Sequence, residues 1–376
     1  MVEGPRQPAN PDFAAVARHF RIYGTFWRAE RLPSGHIHDS YAAWFRSPGA
    51  EPQRALLQRI NHHVFHSPEQ LMENFEAVTT HLRARIRAAG GDPDREALTP
   101  IRTMDGGVLH RTPDGEWWRA MIFIEGARTY ETPGSLAQVR SVGRAIGRFQ
   151  AMVSDFPVDR LHETIPDFHH TPKRFEAFEG AVEGDRAHRC RSARAEIEFV
   201  QQRAADATVL VDLLEAGKLP RRVTHNDTKF DNILVDEATG EGICLIDLDT
   251  VMPGLAAYDF GDAVRSAANT AAEDEPDLAS VCFDMDVYEQ LVAGYLEAAG
   301  SCLAPAEIEM LAFSARLMTL ECGLRFLTDY LDGDRYFRIL HPHHNLDRCR
   351  TQLKLVRDME ARRGEMESIV DRHRPR

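Results

Sequence analysis

The chain has no pair of cysteines at Cys-x-x-Cys spacing. Its six cysteines, at 190, 244, 282, 302, 322 and 349, are scattered. That makes a zinc site or redox pair unexpected and reduced thiols in a cytoplasm the plain reading. It has no run of about 18 apolar residues, so no membrane span is expected. The first thirty residues hold no apolar stretch of the signal-peptide kind. It also lacks a basic stripe, and the net charge is −13. An acidic chain of this sort suits neither nucleic acid nor an anionic membrane. Internal repeats and low-complexity segments are missing too. What is present is an ordinary globular composition, 43% apolar and 27% charged, over 376 residues. That length fits two domains or one two-lobed enzyme.

Residues 12–20 read as a short helix. "YGTFWRAERL", "YAAWFRS" and "RALLQRIN" then read as strands, the first two flanking the turn "PSGHIHDS". A helix is expected over "SPEQLMENFEAVTTHLRARIRAAGG". Ser67 is a natural N-cap, Pro68 fits the first helical position, and Gln70 completes a capping box. Leu71, Phe75, Val78 and Leu82 recur at helical spacing, and Gly90-Gly91 ends the helix. "PIRTM", "GVLHRT" and "EWWRAMIFIE" read as two or three more strands. The character changes after residue 125. Leu136, Val139, Val142, Ile146, Phe149 and Met152 share one helical face, and 190–216, 283–299, 304–331 and 346–365 read as helices. Inside this helical part, 222–250 carries a β-hairpin pattern, with a turn at Glu237–Gly242. Strands do not alternate with helices, which excludes a Rossmann layout. The expected fold is α+β and two-lobed, as in protein kinases. Residues 1–125 form a small antiparallel β lobe with one helix, for nucleotide. Residues 126–376 form a large, mostly helical lobe for catalysis and substrate.

The most informative segment is "THNDTKFDNILV", 224–235. Phosphoryl transfer to a hydroxyl needs a carboxylate to orient the hydroxyl and accept its proton, an oxygen ligand for magnesium, and a cation near the moving phosphate. One loop supplies all three: Asp227 as the base, Asn232 as a magnesium ligand and Lys229 as a phosphate contact. His225 is expected to support the loop backbone. Asp247 ends an apolar strand twenty residues after Asp227, the place for the main magnesium ligand. Asp249 is either a second ligand or a brace for the loop. An Asn/Asp-rich turn ahead of a strand also arises for purely structural reasons. The two halves together, in this layout, point to a kinase.

At these residues the sequence resembles the aminoglycoside phosphotransferase-like kinases, which share the protein kinase fold. It is most similar to bacterial N-acetylhexosamine 1-kinases. The similarity is carried by "GHIHDSY", "LLQRINHHVF", "ENFEAVT", "THNDTKFDNIL", "LIDLDTVMPGLAAYDFGDAVR", "NTAAEDE" and "RFLTDYLDGDRYFRI" with "HHNLDRCRTQLKL". The resemblance implies transfer of a phosphoryl group from ATP, with Mg2+, to the anomeric hydroxyl of a free N-acetylhexosamine. It implies that Asp227 acts on the sugar as base, that Asp247 and Asn232 bind metal, and that Arg325 and Tyr336 lie near the sugar. Arg and Tyr independently suit a hydroxyl-rich ligand. The structural alternative for Arg325 is a salt bridge with Asp329 one helical turn on. The acidic run "TAAEDEPD" at 270–277 keeps a polycationic aminoglycoside acceptor in view.

On the nucleotide side the expectations are looser. The third strand offers Arg59 as the phosphate cation, with Gln58 on the opposite face as the alternative. Its acidic partner would be Glu73 or Glu69. Gly35 lies in the turn over the nucleotide, and Glu125 and Gly126 in the connector that bonds adenine. "HPHHN", 341–345, reads as a surface turn. The letters Asp-Phe-Gly at 259–261 suggest a kinase metal site, but Asp247 is better placed for it. Asp259 instead reads as a helix cap, and Gly261 as a close-packing position.

Overall fold

The computed structural model describes residues 11–32 and 37–375. They fall into two compact units, which divide between Glu125 and Gly126.

The first unit is built on a five-stranded antiparallel sheet: β1 (Thr25–Arg31), β2 (Asp39–Arg46), β3 (Gln53–Ile60), β4 (His110–Arg111) and β5 (Trp117–Ile122), in the order β1-β2-β3-β5-β4. Strand alternation sorts its side chains onto two faces. Ala43, Phe45, Ala55, Leu57, Trp118 and Ala120 pack under Val16 and Ala17 of α1 (Phe13–Ala17) and under Phe20. Gln58 and Arg119 alternate with them and face α2 (Pro68–Ala88), where Arg119 lies over Phe75 with Nη1 3.6 Å from Met72 Sδ. The buried residues of α2 include Leu71, Phe75, Val78 and Leu82, the expected stripe. Ser67 holds the N-cap position through its carbonyl, which accepts from Leu71 N at 3.1 Å. Its hydroxyl makes no capping bond, so the expected capping box does not form. A short α3 (Pro93–Glu96) follows. "PIRTM" is not a regular strand; Ile101 N donates to Ala120 O at 2.8 Å as the segment runs along β5.

The second unit is mostly helical: α4 (Leu136–Met152), α5 (Thr171–Gly184), α6 (Arg194–Gln201), α7 (Val209–Glu215), α8 (Ala256–Ala267), α9 (Met285–Ala299), α10 (Pro305–Glu309), α11 (Leu311–Asp332), α12 (His344–Ala361) and α13 (Arg363–His373). The helix expected over 190–216 is interrupted. A 3-10 turn at Ala204–Asp206 separates α6 from α7, next to Arg203, which bonds the Phe199 carbonyl and Glu360 of α12. Helices α4 and α9 pack closely. A Cβ at Gly147 would come within 2.5 Å of Tyr295 O, so only glycine permits this approach. Two small sheets complete the unit. β6 (Ala127–Arg128), β8 (Ile233–Asp236) and β9 (Gly242–Leu245) form one, and β7 (Arg222–Thr224) with β10 (Met252–Gly254) the other. The hairpin turn between β8 and β9 is fixed by Asp236, whose Oδ1 accepts from Ala238 N and Thr239 N. Among the described residues no helix is long and apolar enough to cross a membrane.

Candidate active site

The loop after β7 is held from several directions. Asp259 accepts from His225 N through Oδ2 at 2.9 Å and from Asn226 N through Oδ1 at 2.7 Å. Thr250 Oγ1 donates to His225 O at 2.7 Å, and Asn226 Nδ2 to Thr250 O at 2.9 Å. His225 lies with Nε2 2.9 Å from Ile246 O, so its ring supports the loop and the end of the hairpin. Asn226 and Asp247 have φ of +64° and +61°. Short polar side chains tolerate that conformation best, and such residues gather at functional sites.

This geometry corrects the expected role of Asp259. Its helix, α8, begins three residues earlier at Ala256, so the carboxylate does not cap it. It clamps two amides of the neighbouring loop instead. Burial pushes its carboxyl up to about 6, against the pull of His225 and the two amides. Gly261 is a close-packing position, as expected: a Cβ there would stand 2.5 Å from Ser314 O on α11.

The loop's reactive groups converge. Asn232 Nδ2 donates to both Asp227 Oδ2 and Asp227 O, each at 2.8 Å. That fixes the Asp227 carboxylate and leaves the amide oxygen of Asn232 to serve a metal. Lys229 Nζ lies 3.9 Å from Asp227 Oδ2 and 3.8 Å from Asp231 Oδ2. Burial opposes its charge, but Asp227, Asp231, Asp247 and Asp262 outweigh that and raise its pKa, so Lys229 stays a cation. Ile246 N donates to Asn232 O at 2.9 Å, which brings Asp247 beside Asn232. Ligand oxygens of Asp247 and Asp249 lie within 4.8 Å of each other. Two carboxylates and an amide oxygen are a hard-oxygen set that fits magnesium.

Arg325 is not paired with Asp329. Asp329 accepts from the amides of Arg335, Tyr336 and Phe337 and from Asn345 Nδ2, which fixes the loop after α11. The Arg325 guanidinium instead lies over the rings of Phe168 and Phe337, at 5.4 and 5.6 Å. Tyr336 is 65% exposed on that fixed loop, edge-on to Phe337. Asp262 pairs with Arg265 at 2.8 Å, while its buried Oδ2 has no hydrogen-bond partner among the described residues. Two carboxylates of the acidic run are paired internally, Glu273 with Arg265 and Asp274 with His344. His344 is buried, so the "HPHHN" turn braces the fold at this point.

In the first unit the sequence expectations fare differently. Gly35 lies outside the described residues. Arg59 is paired with Asp39 and, at 3.9 Å, with Glu116. Its expected partners on α2, Glu73 and Glu69, are both exposed. The cause is strand alternation: Arg59 shares the face of Leu57 and Trp118, and Gln58 faces α2. There Gln58 Oε1 accepts from Arg119 Nε at 2.7 Å, and its Nε2 donates to Ser40 Oγ at 2.8 Å. Glu125 pairs with Arg54, and its carbonyl accepts from Arg95 Nη1 at 2.6 Å. Gly126, which opens the second unit, has φ +63°, and its carbonyl accepts from Glu237 N at 2.9 Å.

The sequence profile of the phosphotransferase enzyme family, APH, matches residues 28–300. The chain belongs to this family. Solved structures share its fold. An aminoglycoside phosphotransferase from Alicyclobacillus acidocaldarius subsp. acidocaldarius DSM 446 superposes with a TM-score of 0.61 at 13% identity, over 97% of each chain. A microcompartment-associated aminopropanol kinase gives 0.56 at 16% identity, over 94% of this chain and 98% of that one. Amicoumacin kinase hAmiN, in complex with AMP-PNP, Ca2+ and Ami, gives 0.55 at 13%, over 96% and 92%. The protein is thus a member of the phosphotransferase enzyme family with the protein-kinase-like fold. Three buried polar residues that the sequence alone does not single out brace these regions: His169 and Glu321, with Nδ1 and Oε1 2.7 Å apart, and Arg119, which bonds Gln58. Glu321 had a signal, a lone carboxylate inside the apolar run "ARLMTLECGLRFL". Arg119 had another, a charge flanked by Trp118 and Ala120 in a strand.

Proposed function

We propose that this phosphotransferase is an N-acetylhexosamine 1-kinase that uses ATP and Mg2+. The observation that carries the kinase chemistry is the Asp227 carboxylate fixed by Asn232 with Lys229 3.9 Å away. In the proposed step Asp227 accepts the proton of the anomeric hydroxyl. The sugar oxygen forms a bond to the γ-phosphorus as the bond to the β–γ bridging oxygen of ATP breaks, leaving ADP and the sugar 1-phosphate. Lys229 stands by as a fixed cation for the transferring phosphoryl group. Asn232, Asp247 and Asp249 would hold magnesium, which when bound supplies charge neutralisation at the phosphates. Glu125 and Gly126, with Gly35, would hold the adenine end. The phosphate-side group on β3 is Arg59 or Gln58.

The sugar assignment rests on the family resemblance of the sequence and on the Arg325, Phe168 and Tyr336 set. A guanidinium over aromatic rings offers fixed donors beside a stacking face, which suits a hydroxyl-rich ring. The test is a panel of acceptors with ATP and Mg2+: GlcNAc, GalNAc, glucose, galactose and an aminoglycoside, scored by the position of the phosphate. Sugar 1-phosphate from an N-acetylhexosamine is expected. Turnover of only the aminoglycoside or only the unacetylated sugars would overturn the substrate reading.

A further inference from the structure

Three backbone groups fix the direction of Asp227. Asp259 holds the amides of residues 225 and 226, and Asn232 Nδ2 holds the Asp227 carbonyl. A further one is the Asn226 carbonyl, in the peptide unit that leads directly into Asp227, whose own amide donates to His225 Nδ1 at 3.3 Å. The carbonyl's partner is His169 Nε2, at 2.9 Å, from the segment leading into α5. A carbonyl can only accept, so His169 must donate there. The other ring nitrogen, Nδ1, lies 2.7 Å from Glu321 Oε1 on α11, and Glu321 Oε2 accepts from Thr171 Oγ1 at 2.5 Å. His169, Thr171 and Glu321 are all buried. Burial alone would raise the Glu321 carboxyl, but His169, Thr171 and Arg325 bring it below its ordinary value. The carboxylate therefore orients the ring, and the ring orients the peptide.

We propose that His169, set by Glu321 and Thr171, is a positioning residue for the candidate base Asp227. Asn226 sits at φ +64°, a conformation costing on the order of 1 kcal/mol or more that must be held by its surroundings. Without the His169 donor, the peptide unit 226–227 keeps only the 3.3 Å bond from Asp227 N to His225 Nδ1 and is freer to rotate and carry the Asp227 carboxylate off line. The strut also ties the loop to α11, which carries Arg325 one turn beyond Glu321. The rings beside His169 are Tyr258 of α8, with centroids 5.3 Å apart, and the adjacent Phe168, at 4.6 Å. Neither bonds it.

The proposal rests on the kinase reading for its activity arm only. His169→Phe removes the donor and keeps a ring. On folded enzyme it should lower kcat by about 10- to 100-fold with the KM for ATP unchanged, the scale of a misplaced reacting group. His169→Gln, which can return an N–H to the Asn226 carbonyl, should restore most of that loss. Glu321→Gln, a milder variant in case His169→Phe does not fold, should give a smaller fall in kcat. Hydrogen exchange supplies the second arm. Peptides covering 225–229 should exchange at least about tenfold faster in His169→Phe or Glu321→Gln, with α9 unchanged. Unaltered kcat and unaltered loop exchange would overturn the strut, as would equal acceleration across the whole unit. If the wild type phosphorylates nothing in the panel, the substrate reading fails while the exchange arm still decides this one.

Discussion

Around Asp227, backbone and side chains are tied by a closed set of bonds. Asp259, Thr250, His169 and Asn232 each hold a specific group of the loop 225–227. On the sheet of the first unit the charged groups singled out by sequence are arranged otherwise. Arg59 is bound to Asp39, Glu73 and Glu69 are exposed, and the cation facing α2 is Arg119 from β5. The difference comes from how each region is made. A loop keeps residues 227, 229 and 232 close together through their short spacing, and the bonds from Asp259, Thr250 and His169 then fix its course. A strand sends neighbours to opposite faces, so one residue of register decides which group meets the helix.

The largest effect expected on the loop side comes from Asp227→Asn. The substitution keeps the shape, and the new amide can still accept from Asn232 Nδ2. It removes the proton acceptor, so kcat should fall by about 10²- to 10⁴-fold with the melting temperature little changed. Steady-state kinetics beside a thermal melt checks this. Turnover within a few fold of wild type would take Asp227 out of the base role and dissolve the contrast drawn above.

Asp259→Asn probes the clamp beneath. One of its two acceptor oxygens becomes an NH2 facing a backbone N–H, and a buried unsatisfied donor costs about 1–3 kcal/mol. The pH dependence gives a sharper readout. The folded carboxyl is raised to about 6, above the ordinary 3.8. Between those values the native state binds a proton that the unfolded chain has lost, so this group's contribution is full below about 3.8 and is lost as pH rises through 6. The stability gap between wild type and Asp259→Asn should therefore widen, in favour of wild type, as pH is lowered from 6 to 4. Parallel melts of the two proteins across that range measure it, and a gap independent of pH would contradict it.

These features differ in how far the letters alone reveal them. The sheet, the long helix α2 and the hairpin at 233–245 follow from patterns of period two and 3.6. The spacing from Asp227 to Asn232 and Asp247 was legible because chemistry limits what such a set can do. Asp259 was visible only as a local cap, since its real partners lie 33 and 34 residues upstream. His169 and Glu321 are 152 residues apart in the chain and meet only through the packing of α5 against α11. No short pattern encodes that meeting. The capping box at Ser67 was legible and still did not form, because the sequence shows which groups are available and not which rotamer is taken.

The smallest effect expected is on the sheet, and it tests the register argument directly. Arg59→Gln removes a half-buried ion pair with Asp39, an interaction whose worth is commonly about 0–1 kcal/mol. Because that guanidinium faces α1 rather than α2, the KM for ATP should stay within about twofold of wild type. Gln58→Leu acts on the other face. On the reading that the α2 face meets the nucleotide, it withdraws the acceptor from Arg119 Nε and should raise the KM for ATP by several fold to about tenfold, the scale of one lost hydrogen bond. Measured together, the two variants separate the faces. A large rise in KM from Arg59→Gln with none from Gln58→Leu would give the phosphate contact to Arg59, and would mean that the face shared with Leu57 meets the nucleotide.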